Sequence, residues 1–247
     1  MTEHRPSSMN PWVSIWLEPR ATVARIVAAN PNRSLWVLAA IYGFTSLLNF
    51  FQAGALGSYL GPVSILLLAA VIAPFWGYLI FAIWSALISW TGGWFKGKGS
   101  FAAVRAVYAW SCVPFAFHIP IWLFLAALFG KQLFIHFPEA VALTQTQVTL
   151  LFALLIFKVV LAIWSLVIYI NALAEIQRFS VIRAILNLVV AGILAALLFG
   201  LLWALLFYFA GPSVPSVGSL GSVGPMAGIE LLQEGSSIVL LSGFMRQ

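Results

Sequence analysis

The twenty residues Ile65-Leu66-Leu67-Leu68-Ala69-Ala70-Val71-Ile72-Ala73-Pro74-Phe75-Trp76-Gly77-Tyr78-Leu79-Ile80-Phe81-Ala82-Ile83-Trp84 contain no charged side chain. A helix of about 20 apolar residues crosses a hydrocarbon core about 30 Å thick, so this stretch reads as a membrane span. It belongs to a longer apolar run over 62–91, and four more such runs lie near 34–54, 107–129, 149–172 and 183–210. The chain is 63% hydrophobic and only 7% charged. A water-soluble core of 247 residues could not bury that surface and still present a polar exterior. Barrel strands would alternate apolar and polar residues in short segments, whereas these runs are continuous and too long. The expected fold is an all-α integral membrane protein, a five-span helical bundle.

Charge orients the spans. Arg5, Arg20, Arg25 and Arg33 precede the first run, Lys96, Lys98 and Arg105 follow the second, and Arg178 and Arg183 precede the fifth. The intervening loops and the tail carry only Lys131 and Arg246, while Lys158 lies within the fourth run. The positive-inside rule therefore predicts a cytoplasmic N-terminus and an extracytoplasmic C-terminus (N-in/C-out), which an odd number of spans requires. The net charge of +6 reads as topology and attraction to anionic lipid, not as nucleic-acid binding, because the bases are scattered through short loops. No signal-type apolar core is evident before residue 34, so the first span is expected to target the chain. Cys112 is the single cysteine, lies within a run, and excludes an intrachain disulfide.

The chain divides into a cytoplasmic interfacial segment (1–33), the transmembrane domain (34–210) and an extracytoplasmic tail (211–247). Within the first part, Asn10 can cap a helix, Pro11 suits a first turn and Pro19 should break the segment into two short helices. Trp12, Trp16, Arg20 and Arg25 place aromatic rings and cations on an amphipathic surface suited to the membrane interface. The alternative is packing of that same apolar face against the spans. The tail is rich in Gly, Ser and Pro over 211–228 and reads as a linker; Ile238-Val239-Leu240-Leu241 is too short to span.

Small residues recur every fourth position at Ala69, Ala73 and Gly77, and again at Gly192, Ala196 and Gly200, which marks faces for close helix contact. His118, between Pro114 and Pro120, and Lys158 are ionisable residues inside runs and form a candidate intramembrane polar site. No Asp or Glu lies in any run, so Lys158 has no carboxylate at its depth. Glu175 reads as a surface partner of Arg178. The Gly92-Gly93 and Lys96-Gly97-Lys98-Gly99 pairs do not match a phosphate loop and read as a flexible turn. No metal-binding cluster, hydrolase elbow or paired carboxylate is present, so neither an enzyme nor a cofactor is expected.

Three stretches then carry a resemblance. They are Asn10-Pro11-Trp12 with Ile15-Trp16, Pro19-Arg20, Thr22 and Asn30-Pro31; Ala102-Ala103-Val104-Arg105-Ala106-Val107-Tyr108-Ala109-Trp110-Ser111-Cys112-Val113-Pro114; and Ala174-Glu175-Ile176-Gln177-Arg178-Phe179-Ser180 with Arg183-Ala184. In this order they resemble the bacterial branch of the Yip-one family, the Ypt/Rab-GTPase-interacting membrane proteins, over about 10–210. The resemblance implies five spans with a cytoplasmic N-terminus in the bacterial cytoplasmic (inner) membrane. Eukaryotic relatives act in vesicle traffic through small GTPases and partner membrane proteins. This chain has only a short stretch before its first span, so GTPase binding is not carried over. The expected function is that of a non-enzymatic multi-pass protein organising lipids, including anionic lipid, or partner membrane proteins, itself among them as a homo-oligomer. The alternative is a small transporter or channel built on His118 and Lys158.

Overall fold

The computed structural model describes residues 10–135 and 144–210; the tail over 211–247, and Arg5 and Arg246 with it, lie outside them. All regular structure among these residues is helical. Two short helices, α1 (Pro11–Ser14) and α2 (Pro19–Ala29), precede α3 (Leu35–Ala53) and α4 (Pro62–Trp94). Then come α5 (Phe101–Ser111), α6 (His118–Phe129), α7 (Gln145–Gln177) and α8 (Val181–Ala210). Five segments are long and apolar enough to cross a membrane, the third being Phe101–Phe134, which contains both α5 and α6. At about 1.5 Å per residue, α4 and α7 with 33 residues each are roughly 50 Å long, so both overhang or tilt in a 30 Å core.

Local sequence explains the boundaries. The Asn10 side chain accepts from the Trp12 amide, and Pro19 opens α2 where its missing N–H costs nothing. Ser100 caps α5 by accepting from Ala103, so this helix begins six residues before the apolar run does and carries Arg105 inside it. The third span breaks after Ser111 because Pro114 cannot continue a helical ladder, and a 3-10 turn (Val113–Phe117) leads into α6. The carbonyl of Ser111, freed there, accepts from the Ser165 hydroxyl of α7 at 2.7 Å. Thr144 and Gln147 form a reciprocal capping box that extends α7 upstream of its apolar run. Pro74 is accommodated within α4.

A first compact unit ends at Ala196 and a second begins at Leu197. In the second, the helical residues up to Ala210 continue α8, with Phe199 and Trp203 stacked on each other. In the first, two buried clusters form. The larger joins Ile15, Val23 and Ile26 of the N-terminal segment to Phe81, Trp110 and Leu173 of the spans. The smaller joins Leu48, Ile65, Ala69 and Ala73 to Trp122 and Phe134.

In lipid there is little hydrophobic drive between helices, so close packing must hold them together. The α3–α4 contact achieves this with small residues on both sides. A Cβ at Gly43 would collide with the Ala73 carbonyl, and one at Gly77 with the Ala39 carbonyl. The stripe read at Ala69, Ala73 and Gly77 thus has its counterpart in Ala39 and Gly43. Gly192 and Gly200 differ, since a Cβ at either would meet no atom within 4 Å.

Candidate functional site

Where the three motif-bearing stretches meet, polar and aromatic side chains interlock. The N-terminal segment reaches the spans through rings: Trp12 meets Trp110 edge to face at 5.4 Å, and Trp16 meets Phe117 at 5.8 Å. Ile15, Val23 and Ile26 are almost fully buried, and the Thr22 hydroxyl donates to the Ser14 hydroxyl at 2.9 Å. The apolar face of α2 is therefore spent on the bundle, mainly against α7 and α5. Val13 of α1 and Leu17 in the turn before α2 remain exposed. Arg20 donates from Nε to Oδ1 of Asn171 on α7, and Arg25 donates to the Ala21 carbonyl within its own helix.

Arg105 ties the first stretch to the second. Its guanidinium donates to the Tyr78 hydroxyl at 2.9 Å and to Asn32 Oδ1 at 2.8 Å, and lies over the rings of Tyr78 and Phe101. Trp36 stacks on Tyr78 at 4.8 Å. A planar guanidinium does this better than an ammonium, because it can stack and donate in two directions at once.

Gln177 ties the third stretch to the loop after α4. Its Oε1 accepts from the Gly99 amide at 3.0 Å and its backbone carbonyl accepts from the Lys98 amide at 3.2 Å. A Cβ at Gly97 would strike this amide group and the Phe179 ring, so glycine there lets the loop close directly over Gln177 without displacing either side chain. Phe95 and Phe179 pack edge to face beside it. The Gly-rich turn is thus a fitted cover over a buried side chain. Nearby, the Thr91 hydroxyl donates to Asn187 Oδ1 at 2.6 Å, and Asn187 Nδ2 donates to the Ile88 carbonyl. Arg178 closes α7 with left-handed backbone (φ 58°) and pairs with Glu175 at 3.6 Å.

The intramembrane pair lies elsewhere. His118 is buried at the start of α6, edge-on to Phe115 at 4.8 Å, with no hydrogen-bond partner for Nε2 among the described residues. The Lys158 ammonium lies over the Trp122 ring, 4.6 Å from its centre. Trp122 is one helical turn on from His118, so the two ionisable residues neighbour the same indole. No group of three His, Cys, Asp or Glu side chains able to hold a metal ion occurs among the described residues.

In the sequence Asn171 and Asn187 have no assigned role, Arg105 reads as a loop base and Gln177 as part of a motif-bearing stretch. The spacing of Gly97 and Gly99 and the polar residues inside apolar helices were their only signals.

These features define a multi-pass helical membrane protein with an N-terminal segment packed into its bundle. The Yip1 domain model matches residues 13–204, most of the chain, and the protein belongs to that family. No curated protein and no solved structure matches it.

Proposed function

We propose that this protein is a non-enzymatic organiser of lipids or partner membrane proteins in the bacterial cytoplasmic membrane, with its N-terminus in the cytoplasm. The observation that carries the reading is the convergence of the three motif-bearing stretches on one interlocked assembly. Arg105 and Gln177 serve there as structural ties, Arg105 donating to Tyr78 and Asn32 and Gln177 accepting from the Gly99 amide. Family membership supports the same class, since a membrane domain shared among relatives points to work done within or on the bilayer. The distribution of bases supports the orientation: the loops joined at this assembly hold Arg33, Lys96 and Lys98, Arg178 closes α7, and Arg183 lies in the first turn of α8. Chemical crosslinking in membranes, followed by native mass spectrometry after mild extraction, tests the proposal. Retention of a defined lipid, a second copy or another membrane protein is expected. A bare monomer would refute it.

A second reading, a small transporter or channel, is favoured by the unpartnered Nε2 of His118 beside the Trp122–Lys158 contact. Buried polar groups without partners are costly in a span and mark candidate ligand positions. It requires a flux into proteoliposomes that Lys158→Ala abolishes. An unchanged flux, or none, removes it.

A further inference from the structure

Between the N-terminal segment and α7 runs a groove of about 270 Å³, lined by Trp16, Leu17, Pro19, Trp164, Val167 and Asn171. Its composition changes along its length. Trp164 and Val167 lie toward the middle of α7, and Asn171 lies nearer its C-terminal end. The step from Trp164 to Asn171 is about 10 Å along the helix axis. At the Asn171 end stands Arg20, whose Nε is held by Asn171 Oδ1 at 3.3 Å. Asn171 is itself oriented, its Nδ2 donating to the Val167 carbonyl at 2.9 Å. That leaves the two terminal nitrogens of Arg20 directed by the Asn171 contact and engaged by no carboxylate among the described residues; the nearby Glu18 forms no ion pair there. Leu17 is 81% exposed beside the same groove, an apolar side chain with no protein cover.

An apolar trough along a membrane helix, ending in a cation at the helix end, has the polarity of one lipid in one leaflet. We infer that this groove holds a single anionic phospholipid, with its phosphate on Arg20 and an acyl chain along Trp16, Val167 and Trp164. Guanidinium favours phosphate because its planar donors match two oxygens at once. The broad indole walls suit a flat-packed chain and sit well at the interface. The N-terminal segment is thereby a clamp, with α1–α2 forming one wall and α7 the other. The inference rests on the reading of the protein as a lipid organiser, and gives that reading a site and a ligand class.

The test is native mass spectrometry of the full chain in detergent, titrated separately with phosphatidylglycerol, phosphatidylcholine, diacylglycerol and inorganic phosphate. One phosphatidylglycerol should bind ahead of the others. R20Q should weaken it about fivefold, the effect of one cation beside an anionic headgroup, and narrow its lead over phosphatidylcholine. V167W fills the groove from a partly exposed position and should weaken diacylglycerol as well, with the thermal unfolding of the protein unchanged. The inference is overturned if neither variant alters the first bound lipid, or if inorganic phosphate alone displaces it. A preparation that retains a partner protein but no lipid sensitive to R20Q also overturns it, while leaving the broader reading intact.

Discussion

Replacing Gly77 by Ala adds one methyl group, and the structure fixes where that group must go. The new Cβ would lie on the Ala39 carbonyl, 2.7 Å from its carbon and 3.0 Å from Ala39 Cα. All these atoms are backbone, so no rotamer change can make room and the helices α3 and α4 must separate. Overpacking of this kind costs up to about 3 kcal/mol. Alanine returns about 1 kcal/mol through its better helix propensity. The net loss is about 2 kcal/mol, or roughly 4–8 °C in Tm for a domain of this size. At Gly192 and Gly200 the same substitution meets nothing within 4 Å, so only the propensity gain remains and Tm should hold or rise. Thermal unfolding of the purified protein in one detergent, followed by tryptophan fluorescence, gives both values. Equal losses at Gly77 and Gly192 would refute the argument, because the two stripes would then be doing the same packing work.

Gln177→Leu keeps the volume but leaves the Gly99 amide without its acceptor, at a cost of about 1–3 kcal/mol. Limited proteolysis at Lys96 or Lys98, both exposed in the loop, should then be faster than in the parent protein; an unchanged cleavage rate would count against the fitted-cover account. Arg105→Lys keeps the charge but cannot reach Tyr78 and Asn32 together while stacking on two rings. It should lose about 1.5–3 kcal/mol of stability, the value of hydrogen bonds to a charged group. A melting temperature equal to that of the parent would show the bonds to be dispensable.

The spans were legible because bilayer thickness imposes a length on any apolar helix, and all five runs meet it. Pro19 was legible too, since a missing N–H and a restricted preceding residue break any helix at that point; α1 ends before it and α2 opens on it. The start of the third span was not. Arg105 reads as a loop base, yet it lies inside α5, because Asn32, Tyr78 and Phe101 receive its guanidinium there. The Gly-rich loop read as a flexible turn for the same reason. Glycine spacing does not disclose that a side chain 78 residues later fills the gap.

The two small-residue stripes mark the boundary most plainly. Identical four-residue spacing occurs in both; among the described residues the stripe holding Gly77 faces another small stripe, at Ala39 and Gly43, closely enough for backbones to touch, whereas a Cβ at Gly192 or Gly200 would meet nothing within 4 Å. The N-terminal segment repeats the lesson: its amphipathic pattern fits a lipid surface or a protein surface equally well. Burial of Ile15, Val23 and Ile26 in the same cluster as Trp110 and Leu173 commits its apolar face to the protein and leaves Arg20 beside a groove. By itself, the sequence determined that the chain forms membrane-length helices and where most of them break, because those depend on apolar length and local backbone chemistry. Which faces meet, which glycines bear contact and where Arg20 points were decided only by tertiary structure, because each depends on the approach of residues far apart in the chain.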